Sequence, residues 1–371
     1  MLYLCKLFNT MNKRKISKII KRLRYLPTNK KLHLYIANKF KAIFLRISKS
    51  TKVAYPSTVM IELTNHCNLH CTICPREYRY GQEMDKGKMS VRQAKDIIDE
   101  LWPYLDSIGL TGMGETFMYE NLEEIVDYIK AKNKGIIISI STNAVLPHFI
   151  EKAKRVIGKI DTIQVSIDGT NSVYNAIRKG SSFSTLTSNL TELTKLCKGT
   201  TTSIMLNMVV TKENYTHMPR LVEYASEIGV KYVDFTLLNL AAVTDIDASY
   251  YNFYKSDSFL SVCSALEKTL KKYPKVTITS KNFKTQNSFQ KCPFPWTHFY
   301  FTWDGFSVPC CAKPFPKELT FGNVINNRVL NILNSKGYRE FREMWFKNQP
   351  PLFCKKCHFI NIPPITSKSS S

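Results

Sequence analysis

At 371 residues, 44% of them hydrophobic, the chain is long enough for two or three structural units around a sizeable core, which excludes global disorder. Its +24 charge is uneven: residues 1–52 hold fifteen Lys and Arg and no acid, leaving +9 for the rest. No run reaches the ~18 apolar residues of a spanning helix, and Met1–Thr10 leads into charge rather than a signal-peptide core, so the reading is a cytoplasmic protein.

The first unit, 1–53, is a basic arm. Ile16, Ile19, Ile20 and Leu23 recur at helical spacing, as do Ile36, Phe40, Ile43, Phe44 and Ile47 after Pro27. Two basic amphipathic helices are predicted. They would dock on the body of the protein or lie on an anionic membrane surface, making the protein membrane-peripheral. Nucleic acid is the least favoured partner, because aromatic side chains for base stacking are sparse.

From Val59 onward, strand patterns at Val59–Leu63, Ser107–Thr111, Ile136–Ser141, Thr162–Ser166, Thr202–Val209 and Tyr232–Leu238 alternate with helical ones at Ser90–Leu101, Asn121–Lys132, Phe149–Val156, Phe183–Cys197 and Met218–Ile228. Ser90 is placed to cap, and Gly135, Gly199 and Gly229 stand where left-handed helix ends are wanted. Six strands alternating with helices predict an α/β fold, a partial (β/α)6 TIM-like barrel over 54–245 whose ligands gather at strand carboxyl ends. A connecting segment, 246–290, carries one helix near Phe259–Lys272 and a strand near Val276–Thr279. A small cysteine-rich C-terminal domain follows over 291–362, then a disordered tail over 363–371.

Eleven cysteines, an odd number without an export signal, argue for metal or cluster binding rather than disulfides. Cys67, Cys71 and Cys74 form C-x3-C-x2-C after the first strand. Three thiolates can hold three irons of a [4Fe–4S] cube and leave the fourth iron open. Zinc with His66 or His70 is the alternative. Later come Cys292, Cys310 and Cys311, then Cys354 and Cys357, with Asp304-Gly305 read as a hairpin turn.

These motifs resemble the radical S-adenosylmethionine superfamily. The resemblance implies a [4Fe–4S] cluster on Cys67, Cys71 and Cys74 whose open iron chelates S-adenosylmethionine, and reductive cleavage to a 5′-deoxyadenosyl radical that abstracts hydrogen from substrate. Thr111-Gly112-Met113-Gly114-Glu115-Thr116 resembles the family's GGEP turn, with Thr116 in place of Pro, so Gly112, Gly114 and Glu115 would meet the methionine amino group. Ser141-Thr142-Asn143 resembles the ribose segment, bringing in Ser141 and Asn143. Ser166-Ile167-Asp168-Gly169 with Arg178 resembles the family's SxDG…R pattern, in which Ser166 meets ribose and Arg178 the methionine carboxylate. Ile73 stands where the family often has an aromatic beside adenine.

The C-terminal cysteines resemble a SPASM or twitch domain. Four of them, Cys292, Cys310, Cys354 and Cys357, would ligate one auxiliary [4Fe–4S] cluster, with zinc again the alternative. Cys311 would point the other way if its strand were extended. An auxiliary cluster suits acceptance of an electron from a substrate radical. The expected function is therefore oxidation of a sugar, cyclitol or related small molecule, reduced power coming from an external flavodoxin or ferredoxin. Two alternatives stand beside it: a maturase acting on a ribosomally made peptide, and a non-catalytic cluster or zinc scaffold that binds nucleic acid. His298, Tyr300, Asp304, Lys313, Asn207 and Asn239 are noted as neighbours of the site, and none is assigned as the catalytic base.

Overall fold

Each predicted strand of the barrel forms because its β-branched and aliphatic positions alternate with polar ones. In the computed structural model, which describes residues 31–243, 245–279 and 292–358, the strands are β1 (Thr58–Ile61), β3 (Ser107–Leu110), β4 (Ile137–Thr142), β5 (Thr162–Ser166), β7 (Ser203–Val210) and β8 (Tyr232–Leu237). Val59, Ile61, Ile108, Leu110, Ile138, Ile140, Ile163, Val165, Leu206, Val233 and Phe235 are buried on one face. Half-buried Ser139, Ser141, Gln164, Ser166, Asp234 and Thr236 alternate with them and give the other face a polar lining. The predicted amphipathic stretch at 16–23, the tail 363–371 and residues 280–291 lie outside the described residues.

Helices cover the apolar face. α2 (Val91–Leu101) begins at a reciprocal cap in which Ser90 Oγ accepts from Gln93 N and Gln93 Oε1 accepts from Ser90 N. α3 (Leu122–Lys132), α4 (Phe149–Lys154), α5 (Phe183–Cys197) and α6 (Met218–Glu227) follow the predicted spans closely. Gly199 and Gly229 take the expected positive φ. Gly135 does not, because Asn133 Oδ1 accepts its N–H at 2.8 Å and closes that helix end instead.

The sheet is wider than six strands. Its order is β11-β10-β1-β3-β4-β5-β7-β8-β9, parallel throughout except for the β10–β11 pair. β9 (Thr277–Ile278) extends one edge, so the connecting segment belongs to the sheet, and α7 (Asp257–Lys272) buries Phe259 and Leu266 in the same core. At the other edge β10 (Phe299–Phe301) runs parallel to β1, with Val59 opposite Phe299. β11 (Ser307–Val308) returns antiparallel after the Asp304-Gly305 turn, where Gly305 has φ +86° and a Cβ would strike Ile325 at 2.4 Å. The C-terminal unit is thus hydrogen-bonded into the barrel sheet.

Side chains from that unit also secure the segment entering β1. Asn334 Oδ1 accepts from Val53 N and its amide donates to Val53 O. Arg342, fully buried on α8 (Lys336–Phe346), donates to the carbonyls of Pro295, Thr51 and Leu333. α1 (Leu32–Ile47) docks through Asn38, whose amide exchanges two hydrogen bonds with the Tyr55 backbone, and through Tyr35 and Lys39, which both reach Asp106.

Candidate cofactor and cluster sites

The cysteine loop leaves β1 and is tied down at its entry. Asn65 Nδ2 donates to Asp85 O while Asn65 Oδ1 accepts from Gly87 N, and Thr64 Oγ1 donates to Gly87 O. Cys71 lies in β2 (His70–Cys71), which pairs with β6 (Arg178–Lys179) so that Cys71 stands opposite Arg178. Backbone pairing therefore places that guanidinium, with Nη1 3.8 Å from Cys71 Sγ. Its Nη2 sits 2.6 Å from Asp168 Oδ2, and the completely buried Asp168 also accepts from Val209 N.

Residues from the next strand ends converge on the same loop. Gly114 lies against the Thr64–His66 backbone, and Glu115 N donates to His66 O at 2.8 Å. The buried Glu115 carboxylate accepts from Phe117 N, Thr142 Oγ1 and Asn143 N, joining the glycine turn to the end of β4. Burial nonetheless pushes its carboxyl upward, against those three donors. Asn143 Nδ2 donates to Asn68 Oδ1 and stands 3.9 Å from Cys67 Sγ. Ser141 N donates to Thr111 Oγ1, Ser166 lies in register with Asn207 at the end of β5, and Ile73 packs partly buried against the core. Gly114, Glu115, Asn143 and Arg178 thus contact the cysteine loop, while Ser141, Ser166 and Asp168 stand at or just past the ends of their strands.

The donor chemistry fits an anionic cluster and a carboxylate-bearing cofactor. Cys67, Cys71 and Cys74 are unpaired thiols, and desolvation raises all three, Cys74 to about 12, so thiolates here need a cationic partner. Arg178 and Arg76 lie beside them, and the Nε of each is a buried donor without an acceptor. Among the described residues no three His, Cys, Asp or Glu converge tightly enough for a single metal ion, whereas a cube takes one iron per thiolate.

A second cysteine set gathers in the C-terminal unit. Cys310 feels the charges of Cys311, Cys357 and Cys354, Cys354 also feels Cys292, and burial raises Cys292, Cys310 and Cys354. Asn239, following β8, points Nδ2 at Cys357 Sγ at 3.5 Å. Cys311 does not continue an extended strand: Lys313 N donates to Cys310 O, closing a turn, so the alternation expected of neighbours is lost and Cys311 is exposed next to Cys292 and Cys310. Of the other neighbours noted from sequence, Lys313 pairs with Glu318, Asp304 accepts from Thr302 Oγ1, His298 stacks on Phe294 and Asn207 accepts from Thr236.

Sequence reasoning passed over Glu62, although it is the first acid of the chain and adjoins the cysteine loop. Its buried carboxylate accepts from Met113 N and Tyr300 Oη, both at 2.6 Å, and from Trp303 N at 3.3 Å. It therefore joins the glycine turn to the C-terminal hairpin, and its side chain fills the space a Cβ on Gly112 would need. Desolvation raises its pKa from 4.5 to about 7. An acid whose folded pKa is raised favours folding below its unfolded value and loses that contribution as pH rises through the folded one. Between about pH 4.5 and 7 the wild type should lose roughly 2–3 kcal/mol relative to Glu62→Gln. Parallel urea titrations across that range check this, and curves that stay parallel would refute it.

A Cβ on Gly114 would lie 2.5 Å from the carbonyl oxygens of both Thr64 and His66. Backbone atoms cannot rotate away, so Gly114→Ala should displace the turn from the cysteine loop. A shift of that size is expected to lower 5′-deoxyadenosine formation by about a hundredfold. Anaerobic chromatography of the nucleoside measures the change, with iron content reporting whether the cluster survives.

Three unpaired cysteines at the mouth of a half-open parallel barrel, flanked by glycine, carboxylate and guanidinium at successive strand ends, define an enzyme built around an iron–sulfur cluster and an organic cofactor. Residues 61–238 match the Radical SAM superfamily model, and residues 292–358 match SPASM, an iron–sulfur cluster-binding domain. The chain belongs to the radical SAM superfamily and carries a C-terminal SPASM domain. Its cofactors are accordingly a [4Fe–4S] cluster with S-adenosylmethionine, and further iron–sulfur ligation in the SPASM domain.

Among its relatives is the tungsten-containing aldehyde ferredoxin oxidoreductase cofactor-modifying protein of Pyrococcus furiosus, 27% identical over 76% of this chain and 82% of that protein. Mycofactocin maturase MftC of Mycobacterium tuberculosis is 31% identical over 47% of this chain, which spans 43% of the maturase. The crystal structure of Streptococcus suis SuiB bound to precursor peptide SuiA shares the fold, with a TM-score of 0.64 at 14% identity over 88% of this chain and 74% of that one.

Proposed function

We propose that this enzyme is a maturase that modifies a peptide by radical chemistry. The observation that carries the reading is a cleft of about 290 Å3 between the glycine turn and the C-terminal hairpin, lined by Tyr80, Met84, Met113, Trp303, Phe306 and Phe315. Its polar groups are already engaged: Glu62 holds the two units together, Asp304 accepts from Thr302, and Lys317 faces Asp85 at 3.6 Å. A sugar or cyclitol needs free donors and acceptors, while an apolar or aromatic peptide side chain fits such a lining. The small-molecule expectation therefore gives way to the peptide alternative, which the maturase relative and the peptide-bound fold neighbour also support.

In this reading Cys67, Cys71 and Cys74 hold the catalytic cluster, Arg178 meets the methionine carboxylate, and Gly112, Gly114 and Asn143 shape the cofactor pocket. When bound, cluster and cofactor supply a 5′-deoxyadenosyl radical that takes a hydrogen atom from the substrate. Asp168 keeps Arg178 charged and oriented, and Glu115 keeps the two strand-end loops in register. Cys292, Cys310, Cys354 and Cys357 would hold an auxiliary cluster, which would supply an acceptor for the electron left when the substrate radical loses a proton. Reducing equivalents would come from a cytoplasmic flavodoxin or ferredoxin.

The test is anaerobic incubation of the reconstituted enzyme, dithionite and S-adenosylmethionine with short peptides encoded beside its gene. Loss of hydrogen from one peptide, in step with 5′-deoxyadenosine, is the expected result. Turnover of sugars or cyclitols with no peptide changed would overturn the reading.

A further inference from the structure

Helix α1 leaves a large apolar arc facing outward. A surface helix ordinarily turns its apolar stripe to the core. Here the inward face is anchored by polar contacts beside the half-buried Leu34 and Leu45: Asn38 is buried against the Tyr55 backbone, and Tyr35 and Lys39 hold Asp106. The outward arc carries Ile36, Phe40, Ile43, Phe44 and Ile47, exposed by 44, 69, 55, 69 and 76%. Five of the nine large apolar side chains exposed among the described residues therefore sit on one helix. At about 100° per residue they span an arc of roughly 100°, with Lys41 and Arg46 bordering it on opposite sides. Lys49 and Lys52 extend the positive border, and no acid occurs anywhere in residues 1–52.

We propose that α1 docks this enzyme on an anionic phospholipid bilayer, its apolar arc entering the headgroup–acyl boundary while the flanking cations meet lipid phosphates. Charge selects the occupant. An apolar arc edged by Lys and Arg on a 16-residue helix, too short to span, is what an acidic lipid surface binds. RNA would satisfy the cations and leave Phe40, Phe44 and Ile47 in water. A second copy in symmetric contact through α1 would set two acid-free arms against each other.

The docking also fixes an orientation. Tyr55 and Asp106, the anchors of α1, precede β1 and β3 at the amino ends of the parallel strands. The cysteine loop and the Gly112–Glu115 turn follow the carboxyl ends of the same strands. The cofactor site therefore opens away from the bilayer toward water. That placement suits a dissolved peptide and not a lipid-linked sugar held in the membrane; only this last clause rests on the proposed function.

The experiment is sedimentation of the full-length, cluster-loaded protein with phosphatidylcholine vesicles containing about 30% phosphatidylserine. The wild type should bind them, and Phe40→Ser/Phe44→Ser should bind at least about tenfold more weakly. Lys41→Glu/Arg46→Glu should weaken binding to the anionic vesicles and leave the slight binding to pure phosphatidylcholine unchanged. Both variants should keep the wild-type melting temperature and 5′-deoxyadenosine formation, since these side chains touch neither the core nor the cofactor site. Wild type that stays in the supernatant, or a serine variant that binds as tightly, would overturn the proposal. So would a dimer that the serine variant splits without any change in vesicle binding, which would make the occupant a second copy. Vesicle binding that persists while no peptide is modified would strike the maturase reading alone.

Discussion

Replacing Cys71 with alanine is expected to abolish S-adenosylmethionine cleavage while leaving the protein folded. Cys71 is held by the β2–β6 pairing, so its thiolate cannot be replaced by a neighbour sliding into place. Two remaining cysteines, Cys67 and Cys74, cannot keep a cube that needs three protein ligands to leave one iron open. Formation of 5′-deoxyadenosine should fall below about a thousandth of wild type, a loss of at least ~4 kcal/mol in barrier lowering. Iron should drop from about eight to about four per chain, because the C-terminal cysteines form a separate set. Arg178 stays paired with Asp168, so the melting temperature should move little. Iron and sulfide counts, with chromatography of the nucleoside, check both halves. Continued cleavage would remove Cys71 from the cluster.

The largest expected stability effect lies far from that chemistry, at Arg342. Its guanidinium is buried, stacks over Tyr338 at 4.5 Å and serves three carbonyls, those of Pro295, Thr51 and Leu333. Desolvation lowers its pKa to about 10, so it remains charged at neutral pH. Arg342→Ala would leave three carbonyls without this donor, two of them buried, and open a cavity against Tyr338. The expected cost is about 3–5 kcal/mol, read from urea unfolding. Arg342→Lys keeps the charge but not the planar fork, and should recover only part of the loss. Since Pro295 lies three residues from Cys292, the alanine variant should also load less iron at the C-terminal set. Unchanged stability would mean that the three contacts are incidental.

How much of this was legible beforehand depends on how far apart in sequence the partners lie. The six barrel strands β1, β3, β4, β5, β7 and β8 were readable because alternation and β-branching are local, and the caps at Ser90, Gly199 and Gly229 are local too. The Cys67–Cys74 loop and the Asp304-Gly305 hairpin were readable for the same reason. β10 and β11 are three and two residues long, and only pairing with distant strands makes them strands; β9 was legible at Val276–Thr279, but its place at the sheet edge beside β8 was not. Gly135 misled because Asn133 supplied with a side chain what a left-handed glycine would have supplied with backbone. The direction of Cys311 could not be read, because a turn closed by Lys313 N on Cys310 O, not a strand, carries it.

By itself the sequence determined the alternation of strands and helices, the two cysteine sets, the strand-end motifs and the acid-free arm, since each is a spacing or a charge written within a few residues. Only the tertiary structure decided that the C-terminal hairpin joins the barrel sheet through β1, that Glu62 and Arg342 tie the units together, and that α1 turns its apolar arc outward. Those outcomes depend on which buried polar group meets which partner across long separations. Periodicity says that a helix has an apolar face; Asn38, Tyr35 and Lys39, finding Tyr55 and Asp106, decide where it points.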